Sequence, residues 1–279
     1  MDVTDQDVQL FRYTLKNSSN YDFSDYSEKS LKRRIAKVLS DNKLDLSTLI
    51  SSIKSNKELL EKVVKDITVN TTELFRDPQV WQTLRYSVIP RYKSNQNINI
   101  WHAGCSTGQE IYSMMILLSE MDLLDKAKIY ATDINTDVID VAKKGEYKYR
   151  FNIGYLDNFD KVIKENPYNY EAFYDVPYEK YFDIDKSRDI ITMKKFLRDI
   201  PQYKKLDLVK DENIFYVKFD IILCRNVIIY FNYDLQNRVF DLFYKNLYPK
   251  GCLVVGLHET ILGPYASKFE KRGQVYLKK

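Results

Sequence analysis

Apolar residues recur at helical spacing through the first part of the chain. Leu31, Ile35, Val38 and Leu39 form one stripe, and Leu59, Leu60, Val63, Val64 and Ile67 form another, so both segments predict amphipathic helices. Ser55-Asn56-Lys57-Glu58 predicts a capping box ahead of the second stripe, with Ser55 as the cap and Glu58 reaching back. After Ile98 the pattern changes. Short apolar runs (Ile98 to Trp101, Lys128 to Thr132, Phe219 to Cys224, Cys252 to Leu257) alternate with helical segments. Asn232 is placed to cap one of these helices, whose apolar face is Leu235, Val239, Leu242 and Phe243, and Pro249-Lys250-Gly251 predicts a turn. The alternation predicts an α/β sheet with helices on both faces, behind a helical N-terminal domain over 1–72. Within the α/β domain, 73–279, the rhythm breaks from about Tyr155 to Pro201. That stretch is polar and aromatic, with Tyr178, Tyr181 and Phe182 followed by Asp189-Ile190-Ile191-Thr192-Met193. It predicts a loop-rich inserted subdomain with short antiparallel strands, or else a long crossover; such length inside a domain is often functional.

The densest signal lies at Ile98 to Ser113, INIWHAGCSTGQEIYS. An apolar strand enters a turn of small residues, Ala103 to Gly108, and a helix opens at Gln109 and Glu110. The next apolar run ends at an acid, Asp133. This is the order of a nucleotide-binding βαβ unit. Glycines such as Gly104 let backbone approach a ligand, and an acid after the second strand can accept ribose hydroxyls. The turn lacks Gly-x-Gly-x-x-Gly, and no Gly-Lys-Ser/Thr follows, so a dinucleotide or a triphosphate fits poorly. A ligand with a ribose and an amino-acid tail, such as S-adenosylmethionine (AdoMet), fits better. The same glycines would also serve close strand–helix packing.

Composition narrows the classes. With 279 residues, of which 44% are hydrophobic, the chain can bury one large core or two smaller ones. No apolar run is long enough to cross a membrane, and the N-terminus has neither a charged nor an apolar leader region. Cys105, Cys224 and Cys252 are far apart, and His102 and His258 lack ligand spacing. Neither a disulfide framework nor a metal is expected; packing or local hydrogen bonding is the expected role of both histidines. A reducing cytoplasm is the expected compartment. A net charge of +4 is too small to imply a nucleic-acid partner. It is unevenly spread: between Glu28 and Lys37 there are five bases and one acid. Lys32, Arg33, Arg34 and Lys37 form either a solvated helix edge or a docking surface for an acidic partner helix.

Four segments in order resemble the chemotaxis receptor methyltransferases, the CheR family. Asn70-Thr71-Thr72-Glu73-Leu74-Phe75-Arg76-Asp77-Pro78 is similar to N-x-T-x-F-F-R-[DE]. Gly104 to Ser113 is similar to GCSTGEEPYS, with Gln109 and Ile111 in place of Glu and Pro. Ala131-Thr132-Asp133-Ile134-Asn135 is similar to A-[ST]-D-I-[DN], and Cys224 to Phe231 matches CRNV-x-IYF. With the Ser30 to Arg34 helix upstream, the resemblance spans nearly the whole chain. His258-Glu259 matches the late HSE motif in part. The stretch Asp183 to Arg188 lacks the glycine-containing loop of members that bind a receptor-tail pentapeptide, which leaves tail docking unsupported.

The resemblance implies a Rossmann-like class I AdoMet-dependent methyltransferase sheet, a small all-helical N-terminal domain and a short β insertion. It implies methyl transfer from AdoMet to glutamate side chains of the cytoplasmic domain of chemoreceptors, with S-adenosylhomocysteine (AdoHcy) as product and no metal. It also implies roles. Asn70, Thr72 and Arg76 would touch the methionyl end, and Glu110 would bind its ammonium or hold the network around it. Asp133 would take the ribose, and Asp207 and Leu208 would frame the adenine. Asn226 and Val227 would close the pocket, while Tyr230 and Arg76 would face the methyl group. Plainer roles remain open: a surface ion pair for Arg76, core packing for Tyr230, a turn cap for Asp133, a strand end for Asp207.

Two other functions compete. A nucleic-acid methyltransferase is disfavoured, because no [DNS]-P-P-[YFW] motif is present and Cys224 lacks the preceding proline of a C5-methylating nucleophile. An AdoMet or AdoHcy binding module in a signalling array is the non-enzymatic reading; a methyltransferase with a non-receptor substrate is the other alternative.

Overall fold

The computed structural model describes residues 3–19, 21–68 and 72–279. They fall into two compact units, Met1–Asn70 with Val227–Phe240, and Thr71–Asn226 with Asp241–Lys279. Among the described residues no helix is long and apolar enough to cross a membrane.

The smaller unit is built on four helices, α1 (Asp5–Ser18), α2 (Glu28–Asn42), α3 (Leu46–Ser55) and α4 (Lys57–Ile67). Both apolar stripes read from the sequence are buried apart from Leu59, which is half-buried; they include Leu31, Ile35, Val63 and Val64. The cap of α4 differs from expectation. Asn56, not Ser55, accepts the Leu59 amide at 3.0 Å. Ser55 still belongs to α3, and its hydroxyl turns back to the Ser51 and Ser52 carbonyls. Asn56 is extended, so it ends one helix through its N–H to Ser52 and starts the next through its side chain.

A second stretch, 227–240, clusters with these helices, outside the expected 1–72 span. Tyr26 and Phe231 form an antiparallel bridge. Ser27 N–H donates to the Tyr230 carbonyl and Asn232 N–H to the Asp25 carbonyl, both at 2.8 Å. The reason is apolar: Phe23, Tyr26 and Phe231 pack edge to face, and Leu235 is fully buried.

The larger unit holds α5 (Pro78–Thr83), β1 (Ile98–Ala103), α6 (Gln109–Glu120), β2 (Ala127–Asp133), α7 (Thr136–Lys144), β3 (Glu146–Lys148), α8 (Tyr149–Phe159), β4 (Phe182–Asp185), β5 (Ile190–Met193), α9 (Lys195–Arg198), β6 (Gln202–Lys205) and β7 (Phe219–Cys224). Helix α10 (Tyr233–Asn246) enters it from the smaller unit. It is followed by β8 (Leu247–Val255), β9 (Phe269–Arg272) and β10 (Val275–Lys278). Asn232 caps α10 as expected, accepting from Leu235 N–H at 2.9 Å. Seven strands form one sheet in the order β6-β2-β1-β7-β8-β10-β9. The first five are parallel, and β10 runs antiparallel to both neighbours. Every residue of β7 is buried, as a strand covered on both faces requires. The chain winds one way from β1 through β2 to β6, then the other way from β7 to β8. The switch point therefore lies between β1 and β7, where open α/β sheets bind ligands. The expected turn at Pro249 to Gly251 is a kink within β8, with Lys250 left-handed.

A second sheet, β3-β5-β4, is antiparallel. It begins at Glu146, before the expected insertion at 155, and the chain between its first two strands is partly helical (α8). Phe159 of α8 explains that order. It packs against Phe75, Tyr178, Tyr181 and Phe182, which anchors the segment to the core.

Candidate cofactor and catalytic site

The carboxyl ends of β1, β2, β6 and β7 gather the polar groups of the larger unit. Beyond β1, Gly104 takes φ 82°, and its N–H and that of Cys105 both donate to the Thr132 carbonyl, at 2.8 and 2.9 Å. Ser106, also left-handed at φ 50°, donates its N–H to Asp133 Oδ2 at 2.8 Å. Asp133 Oδ1 accepts from Asn135 N–H at 2.9 Å. Burial pushes the Asp133 carboxyl above its ordinary value, and the amides of Asn135 and Ser106 offset only part of that. Gly108 takes φ 92°, and a Cβ there would lie 2.7 Å from that of Ala142. This glycine therefore serves close packing between the turn and α7. Leu206 N–H donates to the Asp133 carbonyl at 3.1 Å, drawing the end of β6 to the same edge. Asp207 then opens a turn, with Oδ1 accepting from Val209 N–H at 2.9 Å; Leu208 beside it is half-buried.

Glu110, in the first turn of α6, lies 2.9 Å from His102 Nδ1 and 3.3 Å from Arg225 Nη1. Burial raises its carboxyl, but the His102 hydrogen bond and the Arg225 charge outweigh that and hold it below the ordinary value. Arg225 is 2% exposed at the side chain. Its Nη2 donates to the Arg76 carbonyl at 2.8 Å and to Asp77 at 2.9 Å. Asn226 follows at φ 60°, its N–H donating to Glu259 Oε2 at 2.8 Å. Gly256 N–H donates to the same oxygen, and a Cβ on Gly256 would meet both Glu259 and the Asn226 amide within 2.8 Å. Arg225 and Glu259 were not among the expected site residues. Arg225 did lie inside the CRNV segment, and Glu259 in the partial HSE match.

Gly104, Glu110, Asp133, Asp207, Leu208 and Asn226 thus share one edge of the sheet. Thr72 and Arg76 are partly buried on the segment that leads to α5, and Asn70 lies outside the described residues. Val227 and Tyr230 belong to the smaller unit. There the Arg34 guanidinium lies 4.8 Å from the Tyr230 ring centroid. Of the other expected docking residues, Lys32 pairs with Asp5 at 2.9 Å, Lys37 pairs with Asp41 at 2.8 Å, and Arg33 is exposed.

These residues suit AdoMet. Its methionyl end carries an ammonium, and Glu110, whose carboxyl is held below its ordinary value, is a charged acceptor for it. Its ribose needs acceptors, and Asp133 is a buried one. Ser106 Oγ in the glycine turn is buried without a partner among the described residues, so a ligand hydroxyl would satisfy it.

Comparison with known proteins identifies the family. The CheR methyltransferase all-alpha domain matches residues 6–68, and the CheR methyltransferase SAM-binding domain matches residues 70–158 and 164–276. The Cher3 protein of Pseudomonas putida is 33% identical over 96% of this chain and 93% of its own length. The chemotaxis protein methyltransferase of Listeria monocytogenes is 27% identical over 93% of this chain and 92% of its own. Chemotaxis protein methyltransferase 1 of Pseudomonas aeruginosa is 28% identical over 94% and 92%.

Proposed function

This chain belongs to the CheR methyltransferase family, and from that premise we propose that it is an AdoMet-dependent protein-glutamate O-methyltransferase acting on the cytoplasmic domain of chemoreceptors. The observation that carries the reading is the buried Arg225, which joins Glu110 to the Arg76 carbonyl at the switch point of the sheet, on the same sheet edge as Asp133. It sets an acid for the cofactor's ammonium against the turn that carries Arg76.

AdoMet, when bound, supplies a methyl group already activated by the sulfonium. A glutamate carboxylate is already anionic near neutral pH, so the residues need neither a strong base nor a metal. Their work is to desolvate and align the carboxylate. Asp133 accepts from the ribose hydroxyls. Glu110 faces the methionyl ammonium, with Thr72 beside that end. Asp207 and Leu208 border the adenine, and Asn226 borders the pocket at the end of β7. The Arg76 guanidinium orients the carboxylate through paired hydrogen bonds, and the family resemblance assigns Tyr230 the role of a hydroxyl donor to the same carboxylate. The exposed Arg33, with Lys32 and Lys37 along α2, offers positive charge to an acidic receptor helix. The cytoplasmic face of the receptor makes the cytoplasm the working compartment.

The test is transfer of tritiated methyl from AdoMet to the membrane fraction of the native cell. Label on a receptor-sized band, released by base as methanol, is the expected result. AdoHcy binding without any labelled ester would favour a binding module; base-stable label would point to a different acceptor atom.

A further inference from the structure

Arg76 stands between two left-handed residues. Phe75 has φ 51° and Asp77 φ 56°, and neither is glycine. Side-chain-bearing residues hold such conformations only where their surroundings enforce them, and such strain concentrates at functional sites. The enforcing groups can be named. Phe75 N–H donates to Ser113 Oγ at 2.7 Å, and that hydroxyl donates to the Gln109 carbonyl at 2.8 Å. The Phe75 ring is fully buried against Trp81 and Phe159. The Arg76 carbonyl accepts from Trp81 Nε1 at 2.9 Å and from Arg225 Nη2 at 2.8 Å. Asp77 Oδ2 accepts from the same Nη2 at 2.9 Å, and the guanidinium carbon lies 5.7 Å from the centroid of the Trp81 ring.

We propose that Arg225 is the positioning residue for Arg76, locking the strained turn that presents it and tying that turn to Glu110. This rests on the methyltransferase reading above. The chemistry favours a guanidinium in this place. Its donors form a rigid fork, so Nη2 can hold the Arg76 carbonyl and Asp77 while Nη1 reaches Glu110. A lysine has one donor head and cannot span three acceptors on two segments. One buried cation thus sets the register of the candidate catalytic arginine against the acid that faces the cofactor's amino-acid end. A buried ion pair is weak evidence of a stabilising role, so its geometry is the more informative property.

The experiment is a double-mutant cycle with Arg225→Lys and Arg76→Ala in the full chain, folding being checked by circular dichroism. In the Arg76 background, Arg225→Lys is expected to lower kcat at least tenfold and to change the receptor KM less than threefold. In the Arg76→Ala background the same change should move kcat less than twofold, because nothing remains to be positioned. AdoHcy affinity by calorimetry should show the same non-additivity. Equal fold losses in both backgrounds, in either measurement, would overturn the proposal. Should Arg225→Lys fail to fold, Ser113→Ala takes its place in the cycle. It loosens the other end of the turn and carries the same expectation. If the wild-type protein makes no base-labile ester, the methyltransferase reading fails, while the calorimetric arm still decides whether Arg225 acts through Arg76.

Discussion

Arg34 of α2 lays its guanidinium over the ring of Tyr230, 4.8 Å from the centroid, although Arg33 beside it points to solvent. Arg34 has no carboxylate partner among the described residues; burial pulls its pKa down, and Tyr230 counters part of that. The two arginines of one basic helix therefore do different work. Arg33→Glu should raise the receptor KM and leave kcat near wild type, and the wild-type KM should rise with salt. Arg34→Glu should lower kcat as well, since Tyr230 loses a contact of about 0.5–2 kcal/mol. Initial rates against receptor concentration at two ionic strengths separate the cases. Identical behaviour of the two variants would show that the Tyr230 contact has no kinetic role.

Asp133→Ala should weaken AdoHcy binding by about 1–3 kcal/mol, because the proposed ribose acceptor is lost. It also leaves the Ser106 and Asn135 amides unpaired, so a lower Tm is expected alongside. Calorimetry giving wild-type affinity in the folded variant would remove Asp133 from the site.

The two acids at this edge should respond to pH in opposite ways. The Asp133 carboxyl sits above its ordinary 3.8, and the Glu110 carboxyl sits below its ordinary 4.5. As pH falls, Asp133 protonates earlier than an ordinary aspartate, and cofactor affinity should drop with it. Folding shifts oppositely. Ionised Asp133 costs stability above its raised folded value, and that cost is relieved on acidification. Ionised Glu110 contributes stability that is present above its unfolded value and lost as pH falls through its lower folded value. AdoHcy titrations from pH 7 downward check this; Asp133→Asn should flatten the acid limb, and an unchanged limb would assign it to another group.

Tyr230→Phe deletes one hydroxyl and keeps the ring, so the stacking of Arg34 on the ring should persist while its hydrogen bond to the hydroxyl is lost. If that hydroxyl orients the substrate carboxylate, kcat falls by about tenfold or more, each decade being about 1.4 kcal/mol. Arg76→Ala should cost more, since its proposed role serves both substrate and cofactor. Single-turnover rates on folded protein measure both. Undiminished turnover in the pair would leave the site without its assigned catalytic groups.

What the sequence determined by itself was local. The strand from Ile98, the small-residue turn, the helix from Gln109 and the acid at Asp133 were all legible, because periodicity, glycine conformations and the end of an apolar run act within a few residues. The buried stripes of α2 and α4 were legible for the same reason. The α4 cap was not, since Ser55 and Asn56 are both good caps and only the path of α3 decided between them. Tertiary structure alone decided the rest. Arg225 meets the Arg76 carbonyl across 149 positions of chain, and no local pattern encodes which distant acceptor a buried guanidinium will find. It was likewise the packing of Phe231 and Leu235 that drew 227–240, and Tyr230 with it, into the helical unit. Hydrophobic burial is non-directional, so the sequence marks a residue as apolar without naming the core it will join.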